Sequence, residues 1–278
     1  MMDALHRISR DPLGLLGLIL VVLIIASALL AGLIAPYDPI KLNIIDRLQG
    51  PSVDHLLGTD QLGRDLFSRV LYGGQVALKV AFISIAAALG IGVFLGMLAG
   101  FGPKWLDNII MLFFDTIRSF PTVMFALATV ALVGPSLGTV IAVIIVTSIP
   151  TYGRVVRTQT LTIKSNEFVM AERAMGVSTT RILRVHILPN VIGPLIILAS
   201  MDIPTVIALE AGLSFLGMGV KPPTPSWGSI LNDGYTLIRN TPWPIIAGSI
   251  PLVLITLGFT FLGESLRDLI DPKLRKNV

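Results

Sequence analysis

Apolar residues run along this chain in long unbroken stretches rather than at the spacing of a half-buried helix or strand. Such runs are read as membrane-crossing helices once they reach about 20 residues, the length needed to span the hydrocarbon core. Six segments qualify: Leu13–Ala35, Val80–Gly102, Asn108–Val133, Leu137–Gly153, Asn190–Leu216 and Thr241–Gly263. Gly134-Pro135 separates the third span from the fourth, as expected of turn-forming residues. Pro121 is expected to kink the third span. The fold class predicted is an all-α membrane protein with six transmembrane helices.

Composition agrees with this pattern. Hydrophobic residues make up 53% of the 278 positions and charged residues 14%, against about 25% charged in a typical soluble domain. Too few polar side chains are present to cover a soluble surface of this size. The absence of cysteine excludes disulfides, thiolate metal sites and a cysteine nucleophile. The net charge of +4 fits basic loops on the cytoplasmic side better than nucleic-acid binding. The charge-free run from Pro12 to Tyr37 is longer than the apolar core of a cleaved signal peptide, so the first span is expected to be retained.

With both termini cytoplasmic, most lysines and arginines fall on the inner side. Residues 1–12, the loop 154–189 and the tail 264–278 are then cytoplasmic. They carry Arg7, Arg10, six basic residues of the loop, and Arg267, Lys273, Arg275 and Lys276. The segments 36–79 and 217–240 lie outside.

The inner loop reads as two short helices with a break. Phe168, Ala171 and Met175 recur on one helical face. Gly176 suits a left-handed helix end, Ser178 a hydroxyl cap, and Pro189 restarts the chain towards the membrane. Ile182, Leu183 and His186 form a second apolar side. The residues alone leave two fates open: an amphipathic helix resting on the bilayer, or a helix that docks into a cytoplasmic partner.

The spacing Ala171-Glu172-x3-Gly176-x11-Leu188-Pro189 resembles the EAA loop of permease subunits in bacterial ABC importers. Met170, Glu172 and His186 depart from that pattern, where Glu, Ala and often Ile stand. His55-Leu56-Leu57-Gly58-Thr59-Asp60-Gln61-Leu62-Gly63-Arg64-Asp65-Leu66-Phe67-Ser68-Arg69 resembles the HxLGTDxxGRDxxSR signature. Leu213–Gly219 with Pro222-Pro223-x-Pro225-x-Trp227-Gly228, and Gly263-Glu264-x2-Arg267-Asp268-x2-Asp271-Pro272, resemble two further motifs. In this order they resemble the C-type permease of the dipeptide, oligopeptide and nickel importer family.

That resemblance implies a type I ABC importer permease fold with a cytoplasmic coupling helix. It implies an inner-membrane subunit forming half of a translocation path, with ATPase coupling through Ala171, Glu172, Arg173, Gly176, Val177, Leu188 and Pro189. The implied partners are a second homologous permease in a heterodimer, two ATP-binding subunits that hold ATP and Mg, an extracytoplasmic solute-binding protein, and membrane lipid. No cofactor or metal is expected on this chain. Short peptides are the implied cargo; nickel or a metal chelate, glutathione and opines are alternatives within the same machinery.

Charged residues near or within the spans carry further expectations. Asp60 with Arg64, and Asp65 with Arg69, stand four apart and are expected to form structural ion pairs. Asp115 and Arg118, three apart in the third span, are expected to pair with each other. Asp202 and Glu210 share roughly one face of the fifth span, and an ionisable residue in the bilayer is a pathway candidate; Glu210 is the stronger of the two. Pro222 and Pro223 are expected to meet the binding protein. Trp227 is expected to do so too, or to anchor at the membrane interface.

Among rival classes, no Walker A, HExxH or GxSxG motif is present, and His6, His55 and His186 are scattered. A secondary transporter is the main rival, but no internal repeat is visible.

Overall fold

A computed structural model describes residues 11–270, with side chains through Leu266. The expected inner segment before Asp11, Arg7 and Arg10 within it, the side chains of Arg267 and Asp268, and the tail with Asp271, Pro272, Lys273, Arg275 and Lys276 lie outside the described residues. The described residues are mostly helical, the main exceptions being the segment 35–65 and the loop 216–226. In chain order the helices are α1 (Pro12–Leu29), α2 (Ala31–Ile34), α3 (Leu66–Phe101), α4 (Lys104–Arg118), α5 (Thr122–Val133), α6 (Leu137–Lys164), α7 (Glu167–Ala174), α8 (Thr179–Ile182), α9 (Leu188–Phe215), α10 (Trp227–Thr236) and α11 (Trp243–Ile270). Only helices satisfy every backbone group within one segment in lipid, which is why such apolar runs fold this way.

Five of these helices are long and apolar enough to cross a membrane, and the pair α4 and α5 makes a sixth if counted as one span. That pair is the first departure from expectation. The segment Asn108–Val133 is two helices bent by 85°, not a kinked rod. Pro121 cannot donate to the helix before it and disfavours helical backbone at Phe120, so the chain stops and restarts. The second departure is helix length. α3 has 36 residues, about 54 Å at 1.5 Å per residue. It begins at Leu66, well before the charge-free run at Val80. α6 likewise continues to Lys164, so Arg154 and Arg157 belong to a helix and the inner loop begins at Ser165.

The chain forms two compact units. One comprises the described residues up to Phe82, Leu127–Val140, and the described residues from Met201 onward; the other comprises Ile83–Ala126 and Ile141–Ser200. Helices α3, α5, α6 and α9 contribute to both.

In the first unit, α1 packs on α11 through glycine. A methyl group at Gly17 would lie 2.7 Å from the Leu262 nitrogen, and one at Gly14 would strike Ser265. Asp11 caps α1 by accepting from the Leu13 and Gly14 amides. Leu66, Ile230 and Ala247 form a small core under the outer segment.

In the second unit, α3 lies against α6 along Gly92, Gly96 and Gly100. A methyl group at these positions would meet Tyr152 at 2.7 Å, the Gly153 carbonyl at 2.5 Å and Thr160 at 2.7 Å. Lipid gives helices no hydrophobic reason to associate, so small residues that allow close approach supply the packing. Gly153 extends the contact to α4, where Phe114 fills the space a side chain would need.

Gly96→Val should lower the melting temperature of the detergent-solubilised protein, since overpacking costs about 1–3 kcal/mol. A β-carbon at Gly90 would meet no atom within 4 Å, so the melting temperature of Gly90→Val should stay near the parent value.

Candidate functional site

Two regions hold the residues singled out from sequence. The first is the inner segment 165–189. α7 ends at Gly176, whose φ of +81° is the left-handed conformation expected for it. The Gly176 and Val177 amides donate to the Arg173 and Glu172 carbonyls. No atom lies near the position a Gly176 side chain would take, so its conformation, not crowding, demands glycine here.

Val169 is the buried residue of α7. Phe168, Ala171 and Met175 instead face outward, with Met170 beside them. On the opposite side His186 Nε2 lies 2.9 Å from Glu172 Oε1; Phe168 is only partly free, because its ring meets the His186 ring edge-on at 5.4 Å. Arg173 and Lys164 both stack over Phe101. The Lys164 amine donates to the Gly100 and Phe101 carbonyls, satisfying the end of α3.

Two local expectations are corrected. Ser178 stands at the N-cap of α8, but its hydroxyl makes no capping bond; its carbonyl accepts from the Arg181 and Ile182 amides instead. Pro189 does not restart the chain. Helical backbone runs from Thr179 to Phe215, with a π turn over Leu183–Ile187 that absorbs the missing Pro189 donor. Ile182 and Ile187 are buried there, and Leu188 is half-buried.

The second region is the outer segment. Gly58 and Gly63 of the GTDxxGRD motif have φ of +78° and +71°. A methyl group on either would collide with the backbone of Gln49 or Asn43, so both glycines are fixed by conformation and by space. They fold the motif around Asp60. This carboxylate accepts from the Leu62 amide at 2.8 Å, the Arg64 amide at 3.0 Å and Arg64 Nε at 2.6 Å.

The Asp60–Arg64 pair therefore forms as expected, though within a loop turn rather than on a helix. The Asp65–Arg69 pair does not form. Asp65 is taken by His55 Nδ1 at 2.9 Å and the Ser68 amide at 2.7 Å. In that arrangement it caps the start of α3, where a carboxylate is favoured. Arg69 turns to Asp60 at 3.5 Å and to Asp233 of α10 at 3.7 Å.

Trp227 is only 1% exposed. It packs on Gly73 and Gly74 of α3, and its Nε1 donates to the Val70 carbonyl at 2.9 Å. It is a buried strut rather than a lipid-facing anchor or an exposed partner contact; its indole donor found a helix carbonyl instead of the interface. Pro222 and Pro223 remain exposed on the loop between α9 and α10.

The third span corrects another pairing. Asp115 binds Arg154 of α6 at 2.5 Å, and Arg118 donates to the Thr151 hydroxyl at 3.3 Å. Both side chains face α6, where partners one turn apart serve them better than each other. Sequence reading missed a third link between these helices, the bidentate pair of Asp107 and Arg157.

Glu210 is fully buried. One of its oxygens accepts from the Ser214 hydroxyl at 2.7 Å, and the other has no hydrogen-bond partner. Asp202, two turns earlier, is half-buried. Among the described residues no group of three His, Cys, Asp or Glu is placed to hold a metal.

The model of the family described as binding-protein-dependent transport system inner membrane component matches residues 92–276, about two thirds of the chain. The chain belongs to that family. The N-terminal transmembrane domain of oligopeptide transport permease C matches residues 1–51. Among relatives of this inner membrane component, the dipeptide transport system permease protein DppC of Alkalihalophilus pseudofirmus is 37% identical over 98% of this chain and 90% of its own length. The di/tripeptide permease DppC of Pseudomonas aeruginosa is 38% identical, covering 96% and 89%. The glutathione permease GsiD of Pectobacterium atrosepticum is 38% identical, covering 97% and 90%.

A chain of the MetNI methionine ABC transporter, solved in inward-facing conformations, shares the fold. It has a TM-score of 0.59 at 20% identity, over 73% of this chain and 97% of that one. The inner membrane component is thus a multi-pass permease of the ABC importer fold. It works with ATPase and substrate-binding partners, and ATP chemistry resides on separate subunits.

Asp60 holds two arginines, and removing one charge of a buried network leaves the others uncompensated. Asp60→Asn should destabilise the solubilised protein by about 3–5 kcal/mol, read as a large drop in melting temperature and loss of the monodisperse peak.

Proposed function

We propose that this permease forms half of the path by which short peptides are imported, in a heterodimer with a second homologous permease. Two ATP-binding subunits holding ATP and Mg drive it, and an extracytoplasmic solute-binding protein delivers cargo to the segments 36–79 and 217–240. Both termini are then cytoplasmic, and the inner segment 165–189 faces the ATPases.

The observation that carries this reading is the uncovered side of α7. Met170, Ala171 and Met175 are exposed, and Phe168 partly so beside the His186 ring, on an eight-residue helix held by Glu172–His186 and followed by the left-handed Gly176. Exposed apolar side chains on a helix that also carries the exposed Arg173 fit a docking surface. Ala171, Glu172, Arg173, Gly176 and Val177 would carry the contact, while Leu188 and Pro189 join it to the membrane helix. Motion of the ATPases on ATP binding then moves α7 and the start of α9 together. The change requires the ATPases to bind one state of the permease better than the other.

Peptide cargo is supported by relatives named for dipeptides and di/tripeptides. A relative named for glutathione fits as a variant, because glutathione is itself a small peptide-like acid. Glu210, buried and half-satisfied, is the pathway residue favoured here, with Asp202 on the same helix.

Gly176→Arg forces a β-carbon into left-handed backbone and puts a bulky cation on the docking turn. In proteoliposomes holding the full importer, peptide uptake per ATP hydrolysed should fall about tenfold or more, the loss of roughly 1.4 kcal/mol of coupling. Normal uptake by this variant would refute the docking role. Uptake driven by an ion gradient without the ATPases would refute the importer reading as a whole.

A further inference from the structure

A cavity of about 270 Å³ lies between the GTDxxGRD turn, the loop after α9 and helix α10, all within the first unit. Its wall carries three cationic side chains, Arg64, Arg69 and Lys221, against one carboxylate, Asp233. Asp60 is not part of the wall, and it already accepts three short hydrogen bonds. With the buried Asp60 counted beside Arg64, the site holds three positive charges against two negative, a net excess of one.

Arg69 shows what is missing. It is 2% exposed, yet none of its contacts is short. Nη1 reaches the Pro39 carbonyl at 3.5 Å, Nη2 reaches Asp233 at 3.7 Å, and Nε lies 3.5 Å from Asp60 without a hydrogen bond. A guanidinium carries five donors in a planar fork matched to a carboxylate. Buried donors left this poorly served are costly unless another acceptor arrives. Arg64 also meets Asp233 only at 3.5 Å. Burial raises the pKa of Asp233, against the pull of Arg69 and Arg64.

The floor is polar as well. Ser214 lines the cavity, accepts from the Val220 amide at 3.3 Å, and donates to the buried Glu210. The rim is open: Gln61, Leu62, Lys221, Pro222 and Pro223 are exposed. At the small end of the range for ligand pockets, the cavity has room for a terminal group rather than a folded loop.

We propose that this cavity is a carboxylate-binding site, in which Arg69 and Arg64 grip the carboxylate and Lys221 closes over it. Two sources offer that group: the free C-terminus of a short peptide, or an acidic side chain of the solute-binding partner. The site stands on the cavity alone. Only the choice of a dipeptide probe rests on the peptide-import reading.

The test is acylation of the Lys221 amine by an N-hydroxysuccinimide ester, mapped by mass spectrometry on the assembled importer in lipid nanodiscs. Probes are sodium acetate, L-alanyl-L-alanine, L-alanyl-L-alanine amide, and the binding protein without cargo. Acetate and the free dipeptide should protect Lys221 saturably, and the amide should not. Arg69→Gln should weaken protection about tenfold or more, as expected on losing a charge-assisted hydrogen bond. Asp233→Asn removes the competing carboxylate and should tighten protection, an outcome that misfolding cannot mimic.

Protection by acetate but not by the dipeptide keeps the site and counts against peptide cargo. Protection by the binding protein, lost when its acidic surface residues are neutralised, keeps the site and names the partner as the source. Absence of protection by acetate, dipeptide and binding protein alike overturns the proposal, as does loss of acetate protection in Asp233→Asn.

Discussion

The close approach of α3 and α6 sets the positions of the charged side chains of the second unit. Gly92, Gly96 and Gly100 let the two backbones meet at distances no side chain would permit. That contact brings Lys164, at the end of α6, onto the carbonyls that end α3. It also sets Arg154 and Arg157 opposite Asp115 and Asp107 on α4. The exposed Asp115–Arg154 pair contributes little by itself, roughly 0–1 kcal/mol; glycine packing makes the geometry, and the charges follow it. α7 then leaves from this packed base.

In the first unit, one carboxylate has the comparable role. Asp60 gathers two backbone amides and one guanidinium within a turn, with a second guanidinium nearby. The turn is held to the rest of the segment by the Gly58 and Gly63 conformations and by backbone bonds to Gln49 and Leu48. Buried charge of this kind adds less stability than geometry, because its desolvation cost offsets most of the attraction. It leaves the arginines incompletely served, and a cavity beside them.

The helical class, the break at Gly134-Pro135, the left-handed Gly176 and the Asp60–Arg64 pair were legible in the sequence. Each depends on local chemistry: apolar run length, turn residues, or spacing within a few positions. What was not legible depends on neighbours distant in sequence. Asp115 and Arg118 stand three apart, but their partners are 39 and 33 residues away. Trp227 carries the signature of an interfacial anchor and yet finds a carbonyl 157 residues distant. Asp65 was expected to pair with Arg69, four residues on, but takes His55, ten residues back, and the Ser68 amide at the start of α3. One signal was present and unread: the Gly-x3-Gly-x3-Gly spacing of 92, 96 and 100 marks a helix face built for close contact. The helix break at Pro121 was legible as a kink, but not its 85° magnitude, since a proline marks where a helix stops and not where the chain goes next.

The contact between Glu172 and His186 has a consequence for how such loops diverge. Both positions depart from the usual family pattern, and separately each looks like a tolerated oddity. In this fold they are one exchange, a carboxylate on α7 answered by an imidazole on the π turn 14 residues later. A small residue at 172 would leave His186 with only the Phe168 ring to meet, and an aliphatic residue at 186 would strand a half-buried carboxylate. The two positions are expected to drift through evolution as a pair, so that a lineage adopting one acquires the other, and the fastening of α7 can change chemistry without moving the surface it presents.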